Sequence, residues 1–274
     1  MLTDDTRLDI AARARLAEEI ARNVGREARA FRDSQGEAAL AVENKGLQDF
    51  VTIADRRAEQ SIRAAIAAGF PEDGFMGEES GGLPRRAGTW VVDPIDGTTN
   101  YIRGFRHWGV SIAFVADGVV EIGVIYDAAL DQVYRATNGG GAFRDGKPIR
   151  ASAVTEPARA MAMLGHSRGT SFTDFLAVAQ NLYDQGIDFR RMGAAAIGLV
   201  RVADGTADLY YELQLNAWDM LAGALIAREA GAVVMMADLD TMLEKGGPVI
   251  AGAPGLQPSF AMMRAQAGPN CRPF

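Results

Sequence analysis

A mixed α+β to α/β fold is what this sequence predicts, and three patterns carry that expectation. Apolar residues spaced by three and four open the chain, closely spaced strands with tight turns occupy its middle, and strands alternating with helices fill its second half. Leu8, Ala12, Leu16, Ile20, Val24, Ala28 and Phe31, with Arg and Glu between them, mark a long amphipathic helix capped from Thr3–Asp5. A second helix runs from about Asp55 to Ala68 with Ala58, Ile62 and Ile66 inward, and Gly69 and Pro71 end it. Gly74-Phe75-Met76-Gly77 then leads into Glu78-Glu79-Ser80. After a loop rich in Gly and Pro comes a short buried strand, Trp90-Val91-Val92.

From Val110 to Phe143 the pattern is β. Ser111–Ala116 and Val119–Tyr126 flank Asp117-Gly118, a hairpin pair, and Gln132–Arg135 follows a turn at Asp127–Asp131. Beyond Lys147, strands are expected at Ala160–Leu164, Asp188–Arg191, Leu209–Glu212, Ala232–Met235 and Val249–Ala253. Helices are expected at Phe172–Leu182, Ala194–Ala203, Asp219–Ala230 and Ser259–Ala267. The change of pattern predicts two sub-domains, 1–147 and 148–274, joined near 145–155.

Composition narrows the function classes. With 274 residues the chain has ample material for a buried core, and 28 Lys plus Arg against 35 Asp plus Glu leave a formal charge of −7. A protein that coats phosphate backbones wants the opposite balance, so nucleic acid is not an expected partner. The one cysteine, Cys271, excludes a disulfide framework and a Cys-based zinc site, and makes a reducing cytoplasm the default. No apolar run reaches bilayer length, and the acidic start lacks a signal-peptide pattern, so no membrane partner is expected. Only His107 and His166 are present, which argues against multi-His metal or His-nucleophile chemistry. Both read as structural, and Ser167 beside His166 makes a poor serine-hydrolase pair. Gly139-Gly140-Gly141 lacks the lysine and helix of a P-loop and reads as a turn.

The chemistry concentrates in Asp93-Pro94-Ile95-Asp96-Gly97-Thr98-Thr99-Asn100. Asp93 follows directly on the buried strand, Pro94 stiffens the exit, and Asp96 lies three residues on, so both carboxylates can face one point. Two such charges about 4 Å apart repel by about 4 kcal/mol at an effective dielectric near 20, which a cation between them relieves. All-oxygen ligands favour Mg²⁺ or a similar hard ion. Gly97-Thr98-Thr99 then offers backbone N–H groups at a chain reversal, with no Cβ at Gly97 to obstruct a phosphate. A lone Asp-Gly is usually a plain turn; a strand before it and a Thr pair after it make this string something more.

The stretch resembles the signature of the inositol monophosphatase family, a strand ending in Asp-Pro-Ile-Asp-Gly-Thr. Gly77-Glu78-Glu79-Ser80 is similar to that family's upstream acidic motif. Trp218-Asp219 followed by Met220–Gly231 is similar to its downstream one, and Asp49, Val51-Thr52 and Ala54-Asp55 to an earlier polar segment. The four matches occur in family order from Lys45 to Gly231. The resemblance implies a layered α-β-α-β-α sugar-phosphatase fold, a homodimer, and two or three Mg²⁺ per active site. It implies Glu78, Asp93, the Ile95 carbonyl, Asp96 and Asp219 as metal ligands. Gly97 and Thr98 would bind phosphate, Thr98 and Glu78 would position or deprotonate a water, and Asp55 would orient Thr98. Lys45 falls near a family residue that contacts metal-bound water. Without its cations, such an acidic pocket in a −7 protein would repel its own substrate.

On the substrate side the resemblance places Glu212 where a carboxylate receives hydrogen bonds from substrate hydroxyls, with Asp96 and Asp219 nearby. Gly193-Ala194-Ala195 is similar to a family loop facing the sugar, except that Ala194 lacks the usual hydroxyl. That is one hydrogen bond, worth about 0.5–1.5 kcal/mol net. Arg168, Arg190 and Arg191 are further candidates for holding an anionic substrate. The expected activity is hydrolysis of myo-inositol 1-phosphate to inositol and phosphate by metal-activated water, with inhibition by Li⁺. Histidinol phosphate, fructose 1,6-bisphosphate and 3′-phosphonucleotides are the alternative substrates on the same scaffold. A non-catalytic regulatory binding module is the alternative from a different class.

Overall fold

The computed structural model describes residues 4–35, 43–46, 49–82, 88–167 and 169–274. In chain order the elements are α1 (Asp4–Gln35), β1 (Glu43–Gly46), β2 (Asp49–Val51), α2 (Ile53–Gly69), β3 (Gly74–Gly77), β4 (Thr89–Asp96), α3 (Thr98–Arg103) and β5 (Gly109–Ala116). They continue with β6 (Val119–Asp127), β7 (Gln132–Thr137), β8 (Gly141–Arg144), β9 (Lys147–Pro148), β10 (Met161–Leu164), α4 (Phe172–Asp184), β11 (Asp188–Arg190) and α5 (Ala195–Ala203). The chain closes with β12 (Leu209–Leu215), α6 (Ala217–Glu229), β13 (Val233–Met236), α7 (Leu239–Lys245), β14 (Gly247–Gly252), α8 (Ala261–Ala267) and β15 (Arg272–Pro273).

Five layers result, as the family resemblance implies. One sheet runs β3-β4-β5-β6-β7-β8-β9, parallel only at β3–β4; a second runs β11-β10-β12-β14-β13-β15. Helices α1 and α2 cover the outer face of the first sheet, through Ala17, Ile20, Val24, Ile62 and Ile66 against Trp90, Ile112 and Tyr126. Helices α5 and α6 lie between the two sheets and share a single core with both. Helices α4 and α8 close the outer face of the second sheet over Leu182, Tyr211 and Phe260.

Local chemistry sets these elements. Thr52 caps α2, its hydroxyl accepting from the N–H groups of Ala54 and Asp55, while Asp55 accepts from the Thr52 N–H. Helix α6 is apolar on nearly every side, as a helix between two sheets must be. Its backbone passes so close to β6 that a Cβ on Gly123 would fall 2.5 Å from the Ala222 carbonyl oxygen. Gly123→Ala is therefore expected to lower unfolding free energy by about 1–3 kcal/mol in urea titrations. An unchanged midpoint would show that the two layers separate without cost.

The alternating pattern of the second half left strand order and direction open, and the structure supplies both. Strands β12, β14, β13 and β15 pair antiparallel, with β14 inserted between β12 and β13. The expected helix Ser259–Ala267 begins as 3₁₀ turns over Pro254–Phe260, because Pro258 has no N–H for an α-helical bond, and becomes α-helical only at Ala261.

Candidate active site

Strand β4 is buried along its whole length and delivers Asp93, Ile95 and Asp96 to its C-terminal end. Asp93 is 2% exposed and Asp96 6%. The Ile95 N–H donates to Asp93 at 2.9 Å, fixing that carboxylate against its own turn. Asp96 is held from the other side: the N–H groups of Ala195 and Ala196 donate to its two oxygens at 3.1 and 2.8 Å. These are the first residues of α5, so a carboxylate of the first sheet caps a helix of the central layer.

Gly97 follows with φ of 91°, a left-handed conformation that favours glycine. A Cβ there would stand 3.0 Å from the Ala194 Cβ and 3.2 Å from the Gly193 carbonyl. The turn at Gly97–Thr98 and the Gly193-Ala194-Ala195 loop are thus in contact. Asn100 ties them, its amide donating to the Met192 carbonyl at 2.8 Å and the His107 carbonyl at 2.7 Å. Thr98 Oγ1 stands 3.2 Å from Asp55 Oδ1 and 3.1 Å from the Ile95 carbonyl, with one proton for the two acceptors. Asp55 is fully buried at the start of α2, and burial pushes its carboxyl up to about 6.

Four of the expected ligands converge. Asp93, raised well above the ordinary range by burial, also feels Glu78, Asp96 and Asp219. Burial pushes Asp96 up to about 7 despite its two amide donors, and Asp219 up to about 8 with the Asp96 charge adding. Among the described residues, no Arg or Lys figures among the main influences on these three carboxylates. Glu78, Asp96, Asp219, Gly97 and Glu212 all line one polar cavity of about 300 Å³, with the Gly193–Ala195 loop along its wall. Among the described residues, no three His, Cys, Asp or Glu side chains stand as a ready-made metal cage. Asp93 instead has Glu78, Asp96 and Asp219 as neighbouring acids, whose charges help it keep its proton. The donor set still fits a hard divalent ion in kind and in charge: carboxylate and carbonyl oxygens only, with negative charge unbalanced once the protons leave.

The remaining expectations divide. Arg191 lines the cavity, whereas Arg190 turns to solvent and pairs with Asp188 at 2.7 Å. Arg168 and the Lys45 side chain lie outside the described residues. His166 borders the cavity, packs on Phe172 and Phe175, and contacts Thr170 through Nδ1. Ser167 donates to Glu212 at 2.6 Å and pairs with no histidine.

Sequence reasoning passed over two residues and the long-range bonds of a third. Glu59, buried on α2, accepts the Glu79 N–H at 2.8 Å and so holds the turn that carries Glu78. It lies one helical turn after Asp55, on the same face, which was a readable signal. Tyr210 donates to Glu212 at 2.8 Å from two positions earlier on β12, again a same-face spacing. Asn100, the last residue of the motif, carried no signal for its bonds to the Met192 and Gly193 carbonyls, 92 and 93 residues away.

Known proteins resemble this chain over most of its length. The model of the inositol monophosphatase family matches residues 1–268. A Nus factor SuhB from Vibrio cholerae is 34% identical over 244 residues, covering 82% of this chain and 89% of the relative. An inositol-1-monophosphatase from Mesorhizobium japonicum is 37% identical over 217 residues, covering 78% and 82%. The crystal structure of the extragenic suppressor protein suhB from Bartonella henselae superposes with a TM-score of 0.85 at 32% identity, covering 94% of this chain and 99% of that one.

Proposed function

The chain belongs to the inositol monophosphatase family, and we propose that within it this protein is a Mg²⁺-dependent phosphomonoesterase acting on inositol monophosphate. One observation carries the reading. Gly97, in its left-handed turn, lines the same cavity as the acids Glu78, Asp96 and Asp219 and the hydroxyl acceptor Glu212. Glu78, Asp93, the Ile95 carbonyl, Asp96 and Asp219 are the residues that would hold two or three Mg²⁺. Bound there, the ions would supply positive charge to the phosphate oxygens and acidify the attacking water.

The chain's own groups do the rest. The Gly97 and Thr98 N–H groups hold the phosphate oxygens. The Thr98 hydroxyl takes a proton from the attacking water and passes its own to Asp55, across the 3.2 Å contact between them. Glu78, partly open to the cavity, orients the same water. Attack on phosphorus breaks the ester P–O bond, and the leaving oxygen takes a proton to give the alcohol and inorganic phosphate. Glu212, Asp96 and the Gly193–Ala195 loop receive the hydroxyl-bearing leaving group. The absent hydroxyl at Ala194 softens the preference among sugar and inositol phosphates.

With Mg²⁺, the purified protein is expected to release phosphate from myo-inositol 1-phosphate, and EDTA or Li⁺ to stop it. No turnover on any inositol, sugar or histidinol phosphate would reject the reading. We place the protein in the cytoplasm as a homodimer; no helix among the described residues is long and apolar enough to cross a membrane. The name of the Vibrio cholerae relative supports a second reading, a Nus factor. An Asp93→Asn chain that restores a deletion strain as well as the wild type does would favour that role over catalysis.

A further inference from the structure

The way Glu212 is held goes beyond what its place in the cavity requires. Its two oxygens are each taken by a different hydroxyl, Oε1 by Ser167 at 2.6 Å and Oε2 by Tyr210 at 2.8 Å. Ser167 also stands 2.7 Å from the Gln214 carbonyl, so its single proton is divided between two acceptors. Tyr210 has Glu212 as its hydrogen-bond acceptor and, 3% exposed, stands in the wall of the cavity beside it. Burial beside the Glu212 charge raises its phenol well above the ordinary value, so the group stays a donor.

The slot for this pair is cut by two glycines from different elements. A Cβ on Gly198, in α5, would fall 2.4 Å from the Tyr210 ring. A Cβ on Gly165, just after β10, would fall 1.7 Å from Glu212 Oε2 and 3.0 Å from the Tyr210 hydroxyl. Any larger residue at either place would expel the ring or the carboxylate.

We propose that Tyr210, assisted by Ser167, is a positioning residue that fixes Glu212 as a receptor for two hydroxyl groups of the leaving alcohol. The inference rests on the phosphatase reading and assigns its selectivity for polyol phosphates to Tyr210 acting through Glu212. An ionised carboxylate has about four acceptor directions. Tyr210 and Ser167 occupy one on each oxygen, so the directions left over suit neighbouring hydroxyls on one ring. Without the anchor, a glutamate with three free torsions must be ordered by each substrate, which weakens binding of the hydroxyl-bearing part alone.

The test compares myo-inositol 1-phosphate with 4-nitrophenyl phosphate, whose leaving group has no alcoholic hydroxyl, in wild type, Tyr210→Phe and Ser167→Ala with Mg²⁺. The ratio of kcat/KM between the two substrates is expected to fall about tenfold in Tyr210→Phe, through KM rather than kcat, and about threefold in Ser167→Ala. In a Glu212→Gln background, Tyr210→Phe should change the ratio no further. An equal loss on both substrates would reveal a structural role and overturn the proposal. So would an unchanged ratio in both single variants, and if Tyr210→Phe does not fold, the Ser167→Ala ratio decides alone. A wild-type chain inactive on both substrates would instead remove the phosphatase reading on which the proposal stands.

Discussion

Asp93→Asn is expected to lower kcat/KM by at least about 10³-fold, a loss of about 4 kcal/mol of transition-state stabilisation, while leaving the fold intact. The amide matches the carboxylate in shape, and its oxygen still accepts the Ile95 N–H at the end of β4. What it removes is a charge at the one position that feels Glu78, Asp96 and Asp219 together. If those carboxylates exist to hold cations, losing the most buried of them empties the site of positive charge, and phosphate then meets only acids. The same change relieves repulsion, so the metal-free variant should melt no lower than the metal-free wild type at pH 8. Phosphate release and thermal melting in EDTA measure the two halves. Activity above a tenth of wild type would show that Asp93 is merely a strand-end carboxylate. Coupled loss of folding would show that it is structural.

How much of this was legible depended on the range of the determining contacts. Helix α2 could be read because everything that starts it lies within four residues, Thr52 and Asp55 each satisfying the other's backbone. The Asp93–Asn100 string could be read because β4 opens as an apolar run that must be buried, and its end is where the polar residues begin. Helix α7 carried no signal: over Leu239–Lys245 it buries only Met242, too little for a period to show. The place of β14 between β12 and β13 is a pairing choice, made across 32 to 43 residues on one side and 13 to 19 on the other. Of that, hydrophobic pattern records burial but not partner. The site divides the same way. The family resemblance implied that Glu78, Asp96, Asp219 and Glu212 share a site, but not that the N–H groups of Ala195 and Ala196 hold Asp96. Nor did it announce that Glu59 holds the acidic turn, or that Ser167, discounted as a nucleophile, serves Glu212. Each of those is a tertiary bond between residues at least 20 positions apart.

Raising the pH should destabilise the metal-free protein across neutrality, and Mg²⁺ should cancel the effect. Asp96 and Asp219 titrate near 7 and 8 in the folded chain, against an ordinary 3.8. Between those limits the unfolded chain has lost protons that the folded one keeps, so stability falls as pH rises through the window. At pH 8 Asp219 is only half titrated, so the loss levels off about a unit higher, and Asp93, raised by the same burial, adds to it. Carboxylates that ion pairs or hydrogen bonds draw downward, such as Glu43, Asp131, Asp188 and Asp238, finish titrating below the window and add no slope there. Mutual repulsion makes the two shifts a shared quantity rather than a sum. A loss of several kcal/mol is nonetheless expected, which for a chain of this size means a fall in Tm on the order of 10 °C between pH 5.5 and 8.5 in EDTA. A cation that binds the deprotonated cluster competes with those protons. Saturating Mg²⁺ should therefore flatten the profile and raise Tm more at pH 8.5 than at 5.5. This readout needs no substrate, so it separates the cation from the chemistry. A metal-free Tm that holds steady or climbs through the window would mean that the acids are already neutralised within the fold, leaving the cation no charge to balance.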